Sequence, residues 1–164
     1  MNKEERYAVC QISWEQFQSD ARTLAWRLLE KGQFQNIVAV TRGGLIPASI
    51  VARELGIRNI ETACVMLYDH KETGEMETVL KTPDPAYNSQ DTVILDDLVD
   101  TGHTAQILKE LLPKAHFASL YVKPAGLDQV DTFTTEIAQD IWLQFPWESD
   151  VCCAKPAIDI ANEE

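Results

Sequence analysis

Short, largely apolar runs alternate along this chain with segments of helical periodicity, and this alternation constrains the fold more than any other feature. Residues 36–40, 92–95 and 117–122 are such runs, and residues 57–66 contain a fourth. Runs of this kind suit strands buried on both faces, as in parallel sheets. Because helical segments separate them, the sequence predicts an α/β domain with a mostly parallel central sheet flanked by helices.

Three segments carry the signals of helices. Ser13 precedes Gln16 in a capping-box pattern, and apolar residues then recur at helical spacing until Gly32 ends the run. We predict further helices at residues 47–55, opened by a proline, and at residues 104–112. The apolar positions of the first helix, whose aromatic side chains we expect in the core, are Trp14, Phe17, Ala21, Leu24, Ala25 and Leu28.

The length of 164 residues suits one core, so we predict a single domain over residues 1–164. No apolar run approaches the roughly 18 residues that a membrane span needs, and residues 1–6 lead into no apolar signal core. We therefore expect a cytoplasmic protein with reduced thiols. Neither CxxC spacing nor the density of a disulfide framework is found among Cys10, Cys64, Cys152 and Cys153.

The formal net charge of −12 limits the partners of the chain. Such a surface repels nucleic-acid backbones and anionic membranes, so we expect no nucleic-acid partner. A phosphate ligand would have to be bound locally, by backbone N–H groups, a few cations and a metal ion.

Residues 68–91 form a long polar segment with little core-forming pattern. A loop of this length inside a compact domain is usually functional or disordered. Both a β-hairpin flap and a disordered surface insertion are open for this segment.

Residues 93–104 combine an apolar strand, acids, hydroxyls and a glycine in an order that suits a sugar-phosphate ligand. We expect the strand to end at Leu95 and to deliver Asp96 and Asp97 to the carboxyl edge of the sheet, where ligands bind in open α/β folds. The following loop leads into a helix whose first N–H groups favour a phosphate. A carboxylate pair suits sugar hydroxyls and hydrated Mg²⁺. On these grounds alone, an acidic loop that caps the helix through Thr104 fits about as well.

The whole of residues 93–104 resembles the phosphoribosyl-pyrophosphate-binding motif of type I phosphoribosyltransferases, in which two acids and two apolar residues precede D-T-G-x-T. Residues 40–47 resemble the pyrophosphate loop of that family, and residues 123–126 and 140–147 resemble the base-recognition segments of its bacterial xanthine-guanine subfamily. Further matches follow in the family's order at residues 52–58, 68–70 and 113–117. The resemblance implies the type I phosphoribosyltransferase fold, with a mobile lid loop (residues 68–91) and a small base-recognition hood.

The resemblance also implies a purine salvage transferase. Such an enzyme transfers ribose 5-phosphate from phosphoribosyl pyrophosphate to guanine, xanthine or hypoxanthine, giving the nucleoside monophosphate and pyrophosphate. The resemblance implies that Asp96 and Asp97 bind the ribose hydroxyls and Mg²⁺, with Asp97 as the first choice for the metal contact. It also implies that Asp100 acts as the general base. A strained or cis peptide between Arg42 and Gly43 fits the family. The implied phosphoribosyl-pyrophosphate-binding residues are Arg42, Gly43, Asp96, Asp97, Asp100, Thr101, Gly102, His103 and Thr104.

The same resemblance implies that four residues bind the purine. Asp100 lies beside N7, Lys123 donates to O6, Trp142 stacks on the base, and the backbone of Leu143 reads the group at C2. The alternatives are a solvated surface lysine at position 123 and a core aromatic at position 142. We expect Trp147 to be a packing residue.

Some positions depart from the family. His103 stands where this subfamily usually has a second glycine, and Leu67 stands where related enzymes often carry a serine. We find no clear counterpart of the family's lid arginine. These departures leave phosphate affinity and lid contacts open, while the reaction class is unaffected.

Two other functions are compatible with the fold. A non-catalytic regulator that senses nucleotides or phosphoribosyl pyrophosphate is disfavoured, because a sensor needs no proton-handling carboxylate (Asp100) beside a base-selective lysine (Lys123). An enzyme acting on pyrimidines or adenine is disfavoured by Lys123 and residues 140–147. Since relatives form tetramers or dimers, the resemblance implies a homotetramer or else a dimer, with at most weak peripheral membrane association.

Overall fold

The computed structural model describes residues 8–70 and 74–148, with side chains throughout except at positions 66–70 and 74–78. In chain order the elements are strand β1 (Ala8–Gln11), helix α1 (Trp14–Leu29), β2 (Asn36–Val40), α2 (Leu45–Leu55), β3 (Asn59–His70), β4 (Gly74–Lys81), β5 (Thr92–Val99), α3 (His103–Leu111), β6 (His116–Val122), β7 (Thr132–Glu136) and β8 (Ile141–Gln144), with short 3-10 helices at Pro85–Tyr87 and Pro124–Gln129. The described residues fall into a smaller unit, residues 8–17 and 140–148, and a larger one, residues 18–70 and 74–139. No helix within the described ranges is long and apolar enough to cross a membrane.

The larger unit is built on a six-stranded sheet in the order β4-β3-β2-β5-β6-β7. Every neighbouring pair is parallel except β3 and β4, which are antiparallel. The prediction of an α/β fold with a mostly parallel sheet is confirmed. The bounds of β2 are those expected from its apolar run.

Strand β5 corrects the expectation that the strand ends at Leu95, since it continues to Val99. Its parallel pairing with β6 goes on through Asp96 opposite Ser119 and Val99 opposite Val122. Backbone pairing does not depend on side-chain polarity, so the acids did not end the strand. Asp96 and Asp97 therefore lie within the sheet and not on a loop after it.

The core of the larger unit covers both faces of the sheet. Ile37, Ala39, Val93 and Leu95 have no exposed surface, and α2 packs against β2 and β5. Burial on both faces is what the apolar runs predicted for central strands. A connected cluster that includes residues of α3 consists of Val38, Val40, Ala63, Ile94, Val99, Ala105, Leu108, Leu112, Ala115, Phe117 and Val122.

Helix ends follow the expected signals with small shifts. Ser13 Oγ accepts from Gln16 N at 3.1 Å, which confirms the predicted cap of α1. Helix α2 begins just before Pro47 and ends at Gly56 in the left-handed conformation, with φ of 70°. Helix α3 begins at His103, next to the predicted start at Thr104.

The long polar segment contains the β-hairpin that was one of its two alternatives. Strand β3 continues to His70 and β4 returns beside it, with Cys64 opposite Lys81 and His70 opposite Gly74. At the base of the hairpin, the ammonium of Lys81 is bonded to the carboxylate of Glu61. Residues 71–73 of the predicted lid loop lie outside the described residues.

The smaller unit pairs β1 with β8 in parallel and contains an aromatic cluster. The rings of Phe145 and Trp147 stack with centroids 4.6 Å apart, and Phe17 meets Trp147 edge-on at 5.0 Å. Trp147 is thus a packing residue, as predicted. The expectation of a core position for Trp14 is wrong: the residue is 51% exposed, because its ring lies at the edge of the cluster, 6.1 Å from that of Trp147.

Candidate active site

Three segments of the larger unit follow the carboxyl halves of neighbouring parallel strands. Residues 41–44 follow β2, residues 100–104 follow β5, and residues 123–126 follow β6. Because the carboxyl ends of parallel strands share one edge of a sheet, these segments meet at the edge where open α/β folds bind ligands. The predicted site residues of the larger unit are all on these segments or at the end of β5.

A cavity of about 150 Å³ lies at this edge, lined by Asp96 and by residues 98–105. The lining includes Asp100 and the whole of the predicted phosphate loop, residues 101–104. The segment that the sequence marked as a phosphate cradle therefore encloses space for a ligand group.

The start of α3 gives the cavity an electropositive wall. Gly102 precedes the helix with φ of 88°, a left-handed conformation that favours glycine, and no side chain of the described residues caps the helix. The interpretation of Thr104 as a cap is wrong, because Gly102 occupies the capping position. The first N–H groups of a helix have no partner within it and lie at the positive end of its dipole, so this end suits an anion.

Asp96 and Asp97 form a carboxylate pair of unequal burial. Asp96 is 9% exposed, while Asp97 is half-buried. Burial, and then the charge of Asp97, hold the pKa of Asp96 well above its ordinary value. Asp96 Oδ1 accepts from Asp97 N at 2.9 Å, and Asp97 Oδ1 accepts from Leu98 N at 2.8 Å. A cation bound here would relieve the repulsion of two neighbouring carboxylates.

Gly43 brings the loop after β2 against this pair. A β-carbon built at Gly43 would lie 2.2 Å from Asp97 Oδ2 and 2.4 Å from Asp97 Oδ1. Only a residue without a side chain leaves the carboxylate its place. Two segments far apart in sequence, and both predicted to meet phosphoribosyl pyrophosphate, are thus in direct contact.

The same loop holds a cis peptide bond, at a position that corrects the prediction. The bond joins Thr41 and Arg42, one residue before the expected bond between Arg42 and Gly43. Neither position precedes a proline, so the sequence carries no local signal for the isomer. Arg42 is exposed at the edge of the sheet.

Lys123 and Asp100 form an ion pair. Lys123 is 5% exposed, and its Nζ lies 3.1 Å from Asp100 Oδ2, whose side chain is 51% exposed. The backbone supports the pair, since Lys123 N donates to Val99 O at 2.9 Å. The interpretation of Lys123 as a solvated surface lysine is therefore wrong.

Sequence reasoning missed Gln139. Its Nε2 donates to Asp100 Oδ1 at 2.7 Å, and its Oε1 accepts from Ala125 N at 3.0 Å. The residue precedes the predicted aromatic segment 140–147 and belongs to no predicted element. No pattern in the sequence singles it out.

Trp142 and Leu143 belong to the smaller unit, on β8. Trp142 pairs with Val9 and is 44% exposed, whereas Leu143 pairs with Cys10 and is 4% exposed. The exposure of Trp142 contradicts its alternative as a core aromatic. Stacking of a base on Trp142 and reading by the Leu143 backbone stay predictions.

The carboxylate pair also fits Mg²⁺. Within the described part of the chain, no cluster of three or more His, Cys, Asp and Glu side chains forms a complete metal site. Mg²⁺ commonly binds through one or two carboxylates and takes its other ligands from water and substrate phosphates. Asp96 and Asp97 supply two such carboxylates at neighbouring positions of β5.

Comparison with known proteins agrees with this geometry. Residues 13–155 match the pattern of the phosphoribosyl transferase domain. The chain is 48% identical over 160 residues to a xanthine-guanine phosphoribosyltransferase of Nitratidesulfovibrio vulgaris, covering 97% of each chain. It is 50% identical over 147 residues to one of Desulfotalea psychrophila, covering 90% of this chain and 91% of that one. A crystal structure of a purine phosphoribosyltransferase from Pyrococcus horikoshii is similar with a TM-score of 0.75 at 28% identity, covering 87% and 95% of the two chains.

Proposed function

The chain belongs to the phosphoribosyl transferase domain family, and we propose that it is a purine salvage enzyme of the xanthine-guanine type. It transfers ribose 5-phosphate from phosphoribosyl pyrophosphate to guanine or xanthine, with hypoxanthine as a third acceptor. The products are the nucleoside monophosphate and pyrophosphate. Residues 1–164 act as one phosphoribosyltransferase domain.

The Asp100–Lys123 pair beside the phosphate cavity carries the proposal. The 3.1 Å contact holds a carboxylate able to accept a proton next to a buried ammonium able to donate to a carbonyl. A regulator that only senses a ligand has no use for the carboxylate. A 6-oxopurine needs both groups, because it offers a carbonyl at O6 and loses a proton as its nucleotide forms.

Phosphoribosyl pyrophosphate binds along the carboxyl edge of the sheet in this proposal. Residues 101–104 and the N-terminus of α3 hold the 5′-phosphate, and Asp96 and Asp97 hold the ribose hydroxyls. Arg42 and the exposed backbone of Gly43 meet the pyrophosphate. These fixed dipoles and charges position the sugar and favour the charge that develops on the leaving pyrophosphate.

The purine nitrogen forms its bond to the ribose C1′ as the C1′–O bond breaks and its electron pair leaves with pyrophosphate. Asp100 accepts the proton from N7 of the purine, as a general base. Lys123 donates to O6, which selects 6-oxopurines over adenine. Trp142 stacks on the base, and Leu143 contacts the group at C2 through its backbone.

Asp97, with Asp96, would hold the metal ion that this family uses. Mg²⁺, when bound, would neutralise charge on the pyrophosphate and help to orient it. Residues 68–91 close over the site during turnover and exclude water, because an oxocarbenium-like centre is prone to hydrolysis.

We further propose a cytoplasmic homo-oligomer, a tetramer or else a dimer. The net charge of −12 argues against a nucleic-acid partner and allows at most weak peripheral membrane association. Sedimentation analysis of the purified protein would measure the oligomer, and a monomer would contradict it.

One assay tests the proposed activity. Purified protein with Mg²⁺ and phosphoribosyl pyrophosphate should convert guanine, xanthine or hypoxanthine to the mononucleotide. Asp100→Ala should reduce kcat by about 10²-fold or more, the usual scale of lost general-base catalysis. No turnover with any of the three bases, despite tight binding of phosphoribosyl pyrophosphate, would favour a sensor.

A further inference from the structure

The side-chain amide of Gln139 connects two segments of the candidate site, and no role proposed above uses it. Its Nε2 donates to Asp100 Oδ1 at 2.7 Å, and its Oε1 accepts from Ala125 N at 3.0 Å. These contacts fix the orientation of the amide, since a backbone N–H can only donate and an ionised carboxylate can only accept. A flipped amide would lose both hydrogen bonds.

Asp100 is thereby held at both of its oxygens. Lys123 Nζ lies 3.1 Å from Oδ2, and the Gln139 amide is bonded to Oδ1. The side chain of Asp100 is 51% exposed, so packing alone does not fix the plane of its carboxylate. Two donors on different oxygens do fix that plane.

The two donors differ in what else they must do. Lys123 has to serve the purine O6 as well as Asp100, so its contact with Oδ2 changes when a base binds. Gln139 has no such second task, and its other bond goes to the backbone of Ala125, next but one to Lys123. The Gln139 contact is therefore the one that does not depend on the base.

We propose that Gln139 is a positioning residue for proton transfer, which orients the Asp100 carboxylate by donating to Oδ1. With Oδ1 occupied, Oδ2 accepts the proton from purine N7 as Lys123 engages O6. Through Ala125, the same amide keeps the general base in register with the lysine that selects the base. This inference rests on the proposed function.

The decisive variant is Gln139→Glu. It keeps an oxygen that accepts from Ala125 N but places a second carboxylate where Asp100 had a donor. A like charge at that distance disfavours the ionised form of a carboxylate. We expect the acidic limb of the kcat/KM profile to move to higher pH by about one unit or more. We expect kcat at pH 7 to fall about 10-fold, because Asp100 loses the donor that orients it. KM for phosphoribosyl pyrophosphate should stay within about twofold, because uniform binding of that substrate is unchanged.

Gln106→Glu is the matched control. Gln106 is an exposed residue of α3 whose Nε2 donates to a carboxylate oxygen of Glu110 at 3.3 Å. The same change, beside a carboxylate and with the same added charge, should leave both the pH profile and kcat as in the wild type.

The outcomes separate the inference from the proposed function. If the wild-type protein makes nucleotide and the pH profile of Gln139→Glu coincides with the wild-type profile, only the inference is overturned. A wild-type protein that makes no nucleotide would overturn both. If Gln139→Glu does not fold, Gln139→Met removes the amide without adding charge. A loss of about 10-fold in kcat at unchanged KM for phosphoribosyl pyrophosphate would then support the role, and an unchanged kcat would overturn it.

Discussion

The α-carbon of Gly43 lies so close to the carboxylate of Asp97 that a β-carbon there would stand 2.2 Å from Oδ2. This contact joins the loop after β2 to the end of β5, the two segments proposed to share the pyrophosphate and the metal ion. The obstacle is the end of a side chain and not the backbone. A substitution at Gly43 should therefore displace the carboxylate and leave the sheet in place.

Gly43→Ala should reduce kcat/KM for phosphoribosyl pyrophosphate by about 10²-fold, since a misplacement of about 1 Å in a reactive site costs that much. Its Tm should stay within about 2 °C of the wild type, because less than about 1 kcal/mol of stability is lost. Gly32→Ala is the control, since nothing lies within 4 Å of a β-carbon at Gly32. Wild-type kinetics in Gly43→Ala would show that Asp97 needs no fixed position.

Gly44→Ala, unlike Gly43→Ala, should reduce stability more than activity. A β-carbon at Gly44 would lie 2.3 Å from Leu95 O and 2.6 Å from Val40 O, which are backbone atoms of two central strands. Relief requires the paired strands to shift, so we expect a loss of about 3 kcal/mol and a fall in Tm of about 6–12 °C. Calorimetry would measure it, and a melting curve like that of Gly43→Ala would contradict it.

The parts of the molecule that sequence could predict are those encoded locally. The apolar run of β2 stops at a polar, glycine-rich turn, so its bounds were predictable, and the fold class followed from the order of such runs. The site residues from Asp96 to Thr104 form one contiguous string, so a resemblance could assign them.

The parts that sequence did not predict depend on contacts between distant segments. Strand β5 continues beyond Asp96 and Asp97 because β6 still pairs with it there. Gln139 is defined only by its bonds to Asp100 and Ala125, which are remote in sequence. The cis bond between Thr41 and Arg42 does not precede a proline, so the sequence gives no local signal for it.

Asp96→Asn should stabilise the ligand-free protein while impairing it as an enzyme. The pKa of Asp96 is raised by burial and by the charge of Asp97. Ionisation of Asp96 therefore lowers the stability of the folded protein as pH rises above about 3.9, the pKa of an aspartate in the unfolded chain. Removing the charge should raise Tm by about 2–4 °C at pH 7, for roughly 1 kcal/mol. The difference from the wild type should shrink as pH falls toward 4. Activity should drop about 10²-fold. Equal Tm values at pH 7 would contradict the destabilising charge.

Lys123→Met should weaken the preference for 6-oxopurines. The ammonium is buried and lies at the Asp100 carboxylate, and a hydrogen bond from a charged group is worth about 1.5–3 kcal/mol. The ratio of kcat/KM for guanine to that for 2-aminopurine, which lacks O6, should therefore fall about 10–100-fold. Lys109→Met removes a lysine paired with Asp131 at 2.9 Å and should leave the ratio unchanged. An undiminished ratio in Lys123→Met would exclude a contact with O6.

The stability of the protein should depend on pH through His116. The residue is half-buried at the start of β6, and its Nε2 lies 2.8 Å from Thr132 Oγ1. Burial lowers the pKa of His116; the charge of Asp131 opposes this shift, and those of Lys31 and Lys109 add to it. The unfolded chain therefore takes up a proton at His116 before the folded chain does. The stabilisation from neutral His116 is complete above about pH 6.5 and decreases as pH falls below it. Urea unfolding between pH 5 and 8, at one protein concentration, should show this decrease in the wild type and a smaller one in His116→Gln. Parallel curves for the two proteins would assign the pH dependence to other groups.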